Sequence, residues 1–350
     1  MEALNTVPEP KFELSYNGKN ITADISPYVA SVTYIDHLEG EADSIDIDLE
    51  DSDGRWLDAW YPEKGASLAY KFGYAHQKLA SAGSFDLDEL EITGTTSAVR
   101  IKALSAGVQK AVRTRRGKAY EKTTLAAIAQ RIAKRNKMKL SGKIDRIQID
   151  RVTQYQESDL AFLHRLAGQY GYAFKVTDNN KKMVFWKSTD LLGQKPIRTY
   201  TPNDLLPGWR IRDKVSDVPN AVVMKHHNRR TRKTVSAKVT AERAASAGTS
   251  GTGATSSADT VKINRRVTSK ANAEVQAQAE LDRRHLDRTS GEIIVTGDQA
   301  LAAGVNIELK GFGKLSGIYT IHRATHTHRR HGGYTSMMEI KRSAPAANQK

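Results

Sequence analysis

The chain has 350 residues, of which 39% are hydrophobic, and it contains no cysteine. This size and composition are typical of a globular protein with two or more domains. The lack of cysteine excludes disulfide bonds, thiol catalysis and cysteine-ligated zinc. No apolar run reaches the roughly 18 to 20 residues of a membrane-spanning helix, and the N-terminal residues MEALNTVPEPKF lack the pattern of a signal peptide. We therefore expect no membrane span and synthesis in a cytoplasm.

The charge is distributed unevenly along the chain. The formal net charge is +15, yet residues 1–100 contain 7 Lys and Arg against 19 Asp and Glu, so residues 101–350 hold a surplus of 27 positive charges. Such a surplus is typical of nucleic-acid binding, and equally of docking on acidic protein surfaces. The basic clusters at 113–118 and 226–233 are sufficient for phosphate contacts, but few aromatic side chains accompany them for base stacking. We therefore favour a basic interface or channel lining.

Residues 11–105 have the pattern of short β-strands. Asn17-Gly18 separates two alternating runs and is the dipeptide favoured in a tight hairpin turn. The stretch Ser44–Asp51 alternates strictly, so one face of this strand is predicted to be buried. The buried face would hold Ile45, Ile47 and Leu49, and the opposite face Asp46, Asp48 and Glu50. Many such strands with turn signals between them predict a barrel or a sandwich.

The pattern changes to helical near residue 112. Apolar residues at helical spacing follow Thr123 and Thr124, which are candidate N-caps, and Asn136 is a plausible end. A second helix is predicted from an N-cap at Ser158 to Gly171, which suits the left-handed position after a helix. The first apolar stripe is Leu125, Ile128, Ala129, Ile132 and Ala133, and the second is Leu160, Leu163, Leu166, Ala167 and Tyr170. A hairpin follows, so residues 112–190 predict a small α+β insert.

Strand patterns return from Trp209 onwards. Within this region, NAEVQAQAELDRRHLD predicts a helix, since alanine and leucine favour helices. The run from Thr240 to Thr260 is small, polar and glycine-rich, and it predicts a flexible loop. The glycines of KGFGKLSG, between Gly311 and Gly317, indicate a hairpin.

Several motifs suggest chemistry, but none is complete. His322, His326 and His328 share one parity on a predicted strand, with His226-His227 on another. Neighbouring arginines would repel a cation, so we favour a polar, hydrogen-bonding barrel face over a metal site. The acidic row near Asp46 lacks the spacing of a calcium loop. Hydrolase, zinc-protease, phosphate-loop and dinucleotide-binding motifs are missing. We predict no enzyme activity, catalytic residue, metal or cofactor.

Two longer stretches resemble a known family. ESDLAFLHRLAGQYGYAF, followed by a hairpin, resembles a segment of phage late control protein D and of the hub part of VgrG-type secretion spikes. The stretch GDQALAAGVNIELKGFGKLSGIYTIHRATHTHRRHGGYTSMMEIKR resembles the closing barrel of the same family. The likeness extends from about residue 11 to 343. The Gly/Ser-rich stretch near residue 250 has no counterpart in the family pattern.

The resemblance implies a fold and an assembly. The fold is mainly β, with two similar barrel-like (tube-type) domains joined by an α+β insert. The expected domains are residues 1–108, 109–200 and 201–350, the last with a flexible loop at about 240–260. The implied protein is a structural baseplate hub of a contractile phage tail or R-type-pyocin-like particle. It would be a homotrimer that adapts a sixfold tail tube to a threefold central spike.

Partners and interface residues follow from this interpretation. The expected partners are the spike, the tail tube ring and, less directly, tape-measure and baseplate wedge proteins, with nucleic acid only as passing cargo. The expected location is the virion or tail particle, assembled in the host cytoplasm. The interface candidates are Asp46, Asp48, Glu50, Arg113, Arg115, Arg116, Arg229, Arg230, Arg232 and Phe312. Gly297 and the 311–317 hairpin are candidates for reaching a neighbouring ring.

Two alternative functions are left open by the residues. TTLAAIAQRIAKRNKM resembles the first helix of LysM-type repeats, which would suit a peptidoglycan-binding or lytic tail module. The basic clusters would suit a nucleic-acid-binding protein. Retention on purified sacculi would indicate the first alternative, and a steep salt dependence of DNA binding would indicate the second.

Overall fold

The computed structural model describes residues 8–63, 65–94, 97–105, 114–177, 181–228, 232–241, 257–267 and 269–345. The strands of the first region are β1 (Pro10–Tyr16), β2 (Lys19–Asn20), β3 (Val29–His37), β4 (Ser44–Glu50), β5 (Ser67–Tyr74), β6 (Ala80–Thr93) and β7 (Ala98–Leu104). Those of the middle region are β8 (Arg115–Thr124), β9 (Lys139–Ser141), β10 (Gln148–Ser158), β11 (Tyr172–Thr177), β12 (Lys182–Lys187) and β13 (Arg198–Tyr200).

The last region contains the remaining strands. They are β14 (Arg210–Asp213), β15 (Pro219–Asn228), β16 (Lys233–Thr240), β17 (Ser257–Asn264), β18 (Thr289–Thr296), β19 (Asn306–Leu309), β20 (Gly317–Arg329) and β21 (Gly333–Pro345). The α-helices are α1 (Thr22–Ile25), α2 (Leu125–Arg135), α3 (Asp159–Gln169), α4 (Ser188–Leu192) and α5 (Lys270–Leu286). Short 3-10 helices lie at Arg55–Leu57, Pro202–Asp204 and Gly313–Leu315.

One large sheet joins the first and last regions of the chain. In the described residues it has thirteen strands, in the order β14-β18-β21-β20-β3-β4-β7-β6-β5-β1-β2, with β19 pairing β20 and β13. The two regions meet where β20 pairs antiparallel with β3, from Arg323 opposite His37 to Arg329 opposite Ser31. The two predicted barrel-like halves are therefore continuous through backbone hydrogen bonds.

The two halves repeat the same strand order. It is β3-β4-β7-β6-β5 in the first half and β14-β18-β21-β20-β19 in the second. A β-bulge interrupts β6 between Leu87 and Glu89, and another interrupts β20 between Ile321 and Arg323. Each half also encloses its own hydrophobic core. The predicted fold class, mainly β with two similar barrel-like halves and an α+β insert, is confirmed.

Local patterns explain these strands. In β4, Ile45, Ile47 and Leu49 are at most 2% exposed, as the strict alternation predicted. The turn between β1 and β2 has φ of 47° at Asn17 and 83° at Gly18. Two consecutive positive φ values are what a two-residue hairpin turn requires, so this prediction is also confirmed.

The insert is built around the two predicted helices. Thr124 Oγ1 accepts from Ala127 N at 3.1 Å, so Thr124 is the N-cap of α2 out of the two candidates Thr123 and Thr124. Ser158 Oγ accepts from Ala161 N at 3.2 Å, which confirms the predicted N-cap of α3. The apolar faces pack with the β9–β12–β11 sheet into one core. The predicted stripe of α3 needs one correction, because Phe162 is fully buried whereas Leu160 is only partly buried.

The sequence suggested one uniform barrel for the last region, but the structure does not show one. Strands β15, β16 and β17 form a separate sheet that packs on α5 and has its own core, centred on Val222, Met224 and Leu281. Alternation predicted these strands correctly, but it does not specify which sheet a strand joins. The predicted loop is shorter than expected, because residues 257–260 belong to β17; residues 242–256 lie outside the described residues. The proposed boundaries at 108/109 and 200/201 stay a prediction.

Candidate assembly site

Charged side chains form rows of alternating sign across the outer face of the first half. The rows are Glu89–Lys102–Asp46 and Glu91–Arg100–Asp48, each crossing β6, β7 and β4. In the second row, Arg100 Nε donates to Asp48 Oδ1 at 2.8 Å. Partial burial raises the pKa of Asp46, and the neighbouring Lys102 opposes that rise. Opposite charges directly across a sheet contribute roughly 0.2 to 1 kcal/mol per pair, so each row stabilises this face modestly.

The edges of the large sheet that have no paired strand in the described residues include those of β14 and β6. Strand β14 pairs with β18 alone. Strand β6 pairs with β5 only up to Asp86, so Glu89–Thr93 has β7 on one side and no strand on the other. An unpaired edge offers backbone donors and acceptors to another chain. The two edges also differ in charge, since β6 presents Glu89 and Glu91 whereas β14 presents Arg210 and Arg212.

A buried ionic cluster joins the insert to both halves. Lys175 Nζ of β11 contacts the carboxylate of Asp36 and lies 2.8 Å from Asp43 Oδ1. The same carboxylates accept backbone hydrogen bonds, from Ala303 N to Asp36 Oδ2 at 2.8 Å and from His37 N to Asp43 Oδ1 at 3.0 Å. Burial raises the pKa of Asp43 to about 7, and the nearby ammonium limits the rise. One cation therefore holds three parts of the chain together.

Two of the three histidines lie inside an aromatic cluster. His326 and His328 are at most 5% exposed. His326 Nε2 lies 2.8 Å from the carbonyl of Leu301, so it carries the proton, and Nδ1 accepts from Tyr334 Oη at 2.8 Å. The ring of His328 stacks on Tyr334 at a centroid distance of 4.1 Å. Burial lowers the pKa of His328 to about 4 and also lowers the pKa of His326, so both are neutral near pH 7.

We predicted that three histidines share one face of a strand, and this prediction is wrong for His322. This residue is at the β-bulge between Ile321 and Arg323, which takes it out of the alternation that His326 and His328 follow. Burial lowers the pKa of His322 to about 3. The prediction that these histidines form a polar face of the barrel also needs correction, because His326 and His328 point into the aromatic core. Among the residues that the structure describes, no group of three His, Asp or Glu could hold a metal ion.

A family model for the phage tail baseplate hub (GPD) matches residues 102–332, about two thirds of the chain. The chain belongs to this family. The predicted relationship to late control protein D and tail baseplate hubs is therefore confirmed, and it places the chain among proteins of phage tail particles. The curated relatives are named as probable baseplate hub proteins.

Known relatives agree in sequence or in fold with this hub-family chain. The probable baseplate hub protein of Escherichia phage 186 is 34% identical over 201 residues, covering 56% of this chain and 50% of that protein. The chain thus spans about half the length of this curated relative. A 43 kDa tail protein of prophage MuSo2 from Shewanella oneidensis has the same fold, with a TM-score of 0.69 and 15% identity over 96% of this chain and 99% of that one.

A secretion protein shares the fold as well. A type VI secretion component of E. coli, described as similar to phage T4 tail proteins, has a TM-score of 0.53 and 14% identity, covering 92% of this chain and 74% of that chain. This likeness agrees with the predicted relationship to secretion spikes. In the part of the hub-family chain that the structure describes, no helix is long and apolar enough to cross a membrane.

The predicted acidic interface residues have partners within the chain. Asp48 pairs with Arg100, and Glu50 pairs with Arg330 at 2.8 Å. Strand β4 lies inside the sheet, between β3 and β7, so its backbone cannot pair with another chain. A contact of Asp46, Asp48 and Glu50 with a neighbouring subunit stays a prediction.

The other predicted residues are dispersed. Arg115 and Arg116 lie on β8, in the two-stranded β8–β10 ribbon, and Arg232 is in the turn before β16. Phe312 packs edge-to-face on Trp209, with ring centroids 5.5 Å apart. Arg113, Arg229 and Arg230 lie outside the described residues. The predicted interface residues that the structure describes therefore do not form one continuous surface.

Sequence reasoning missed the residues at the free edges. The acids of β6 were visible as an alternating stretch, DELEI, but nothing local marks them as an edge. The basic residues of β14 belong to a four-residue strand, too short for a periodicity signal. Lys175 was also missed, because one lysine in an apolar strand gives no indication of a buried partner.

Proposed function

We propose that this chain is the structural hub of a contractile-tail baseplate and acts as a homotrimer that adapts a sixfold tail tube to a threefold spike. The supporting observation is the repeated strand order of the two barrel-like halves within one sheet. Three chains then supply six similar units around one axis. A ring of this kind presents six related surfaces where its halves are alike and three where they differ.

The differences between the halves support the threefold side of this proposal. The connection from β14 to β18 contains β15, β16, β17 and α5, whereas β3 and β4 are joined by a short loop. This extra unit would occur three times in the ring, as would the insert. We propose that the spike contacts these threefold elements and that the tube ring contacts the repeated halves.

Partners and location follow from family membership. We propose that the chain is assembled in the host cytoplasm into a phage or pyocin-like tail particle. Its neighbours would be the spike, the tube ring, the tape-measure protein and the baseplate wedges. We propose a non-enzymatic role, and the three domains 1–108, 109–200 and 201–350 as its working units.

The first test is the absolute mass of the purified chain by light scattering across protein concentration. A mass of about three times 38.7 kDa supports the trimer, and ring-shaped particles with six similar lobes in electron micrographs support the symmetry adaptor. A chain that remains monomeric, also when the spike is added, refutes the proposal.

A second test concerns the predicted acidic strand. Reversing Asp46 and Asp48 to lysine places two cations beside Lys102 and Arg100, so assembly should be impaired. A variant that forms a normal trimer and still joins tube and spike would show that these residues have no role in assembly.

A further inference from the structure

We infer that β6 of one copy pairs antiparallel with β14 of the next copy, in the same register in which β20 pairs with β3 inside each chain. The inference rests on the proposed trimer and assigns the backbone contact that closes it. Strand β20 uses its edge beyond the bulge to bind β3. Strand β6 has the same bulge and leaves the equivalent edge, Glu89–Thr93, without a paired strand in the described residues.

The repeat defines which residues of β6 and β20 are equivalent. Glu89 and Arg323 both come directly after the bulge. Before the bulge, Leu87 N donates to Ala66 O and Ile321 N donates to Val305 O, each at 2.9 Å. Identical hydrogen bonding at equivalent places shows that the two strands follow the same path through their halves.

Tracing the opposed residues from strand to strand across each half identifies the residue that is equivalent to a given residue of β3. In the first half the opposed residues are Glu89, Lys102, Asp46 and Thr33. In the second half they are Arg323, Glu339, Glu292 and Arg210. Arg210 is therefore equivalent to Thr33. Since Thr33 faces the residue four positions after Arg323, Arg210 should face the residue four positions after Glu89, which is Thr93.

This register brings complementary side chains together. It places Ile211 opposite Ile92, Arg212 opposite Glu91 and Lys214 opposite Glu89. Glu89, Glu91 and Arg212 are exposed in the single chain, and Ile92 and Ile211 are half-buried. A one-residue slip would place the charges opposite the isoleucines, so the charge match depends on this register.

The same joint extends the charge rows described above. Lys214 would precede Glu89 in one row, and Arg212 would precede Glu91 in the other, so the signs continue to alternate from one copy to the next. Opposite charges directly across a strand pair stabilise it, and like charges destabilise it. The sequence of the two edges thus favours their mutual pairing over pairing of either edge with itself.

The residue after Lys214 has a backbone donor that the joint would use. Val215 follows Lys214 and is 46% exposed, whereas Leu38, at the equivalent position after His37, is 6% exposed. The Leu38 side chain packs with Ala173 and Leu191, and its backbone N donates to His322 O of β20 at 2.9 Å. In the ring, Val215 N would donate to Asp88 O of the next copy. Three such joints, related by one threefold axis, close the ring.

Cysteine cross-linking tests the register directly, because the natural chain has no cysteine. Full-length chain carrying Ile92→Cys and Ile211→Cys should form disulfide-linked dimers and trimers under mild oxidation, which disappear on reduction. The matched control is Ile92→Cys with Asp213→Cys, which moves one thiol two positions along β14, to a distance of about 7 to 8 Å. We expect at least about tenfold less covalent trimer from the control. Equal cross-linking of both pairs would refute the register.

Charge reversal gives a second readout without cysteine. Glu91→Arg should weaken trimer formation about tenfold, and adding Arg212→Glu should restore part of it, because the new arginine still lies opposite Arg100 of its own chain. No restoration in the double variant would refute the predicted pairing of these two residues. If the wild-type chain is a trimer and the Ile92→Cys, Ile211→Cys variant gives no cross-link, the joint is refuted and the trimer proposal stands. A wild-type monomer refutes the proposed function and the joint together.

Discussion

Replacing Lys175 with methionine should lower the free energy of unfolding by about 3 to 5 kcal/mol. The Lys175 side chain is 9% exposed, and those of Asp36 and Asp43 are 9% and 6% exposed. Two unit charges 2.8 Å apart attract by about 6 kcal/mol at an effective dielectric constant of 20, before the cost of desolvation is subtracted. Methionine has a similar length, but it leaves two carboxylates buried side by side without a cation. The insert should loosen from both halves at once.

Urea unfolding followed by circular dichroism at pH 8 measures this loss. The matched control is Lys187→Met, since Lys187 Nζ lies 3.0 Å from Asp145 Oδ2 in a pair whose side chains are 43% and 47% exposed. An exposed pair contributes about 0 to 1 kcal/mol, so the control should remain near wild type. Adding Asp43→Asn to the Lys175→Met variant should recover part of the loss. If Lys175→Met costs no more than the control, the cluster does not hold the chain together.

Three further predictions concern pH and local structure. Burial raises the pKa of Asp43 from 3.8 to about 7. The contribution of this shift to the free energy of unfolding is therefore complete below about pH 4 and is lost as the pH rises through 7. Relative to Asp43→Asn, the wild type should therefore lose about 2 to 3 kcal/mol of stability between pH 5 and 8 in urea titrations, and a constant difference would contradict this. Ser158→Ala should cost about 1 kcal/mol in thermal unfolding by loss of the N-cap, as should Thr124→Ala; no change in either would argue against capping. Gly142→Ala should cost about 2 to 4 kcal/mol, because φ is +101° and a Cβ would lie 1.9 Å from Phe185 O, whereas Gly18→Ala, with open space around it, should cost less in the same assay.

Local features of this protein could be predicted from the sequence. The start of α2 at Thr124, the start of α3 at Ser158 and the turn at Asn17-Gly18 are all as predicted. Each depends on residues no more than four positions apart, whose hydrogen bonds and backbone angles form within one turn. The alternation of β4 likewise predicted which face is buried.

Pairing between distant strands could not be predicted in this way. Alternation indicates which side chains of a strand are buried, but any neighbouring strand can satisfy its backbone hydrogen bonds. The sequence therefore did not indicate that β15, β16 and β17 leave the large sheet, or that β3 pairs with β20 almost 300 residues later. It identified Asp46 and Asp48 as interface candidates, whereas the strand order places them beside Lys102 and Arg100 of their own chain.

The free edges depend on the tertiary structure for the same reason. Whether DELEI lies at an edge or inside the sheet is decided by the length of β5. The pairing of β5 with β6 ends at Ser67 opposite Asp86, so it does not extend to these residues. The charge of Lys175 is stabilised only because folding brings two carboxylates from another region within contact. Short-range hydrogen bonding and side-chain periodicity thus determined the elements of this protein. Long-range backbone pairing and burial decided which of its charges are internal and which remain at an edge for another chain.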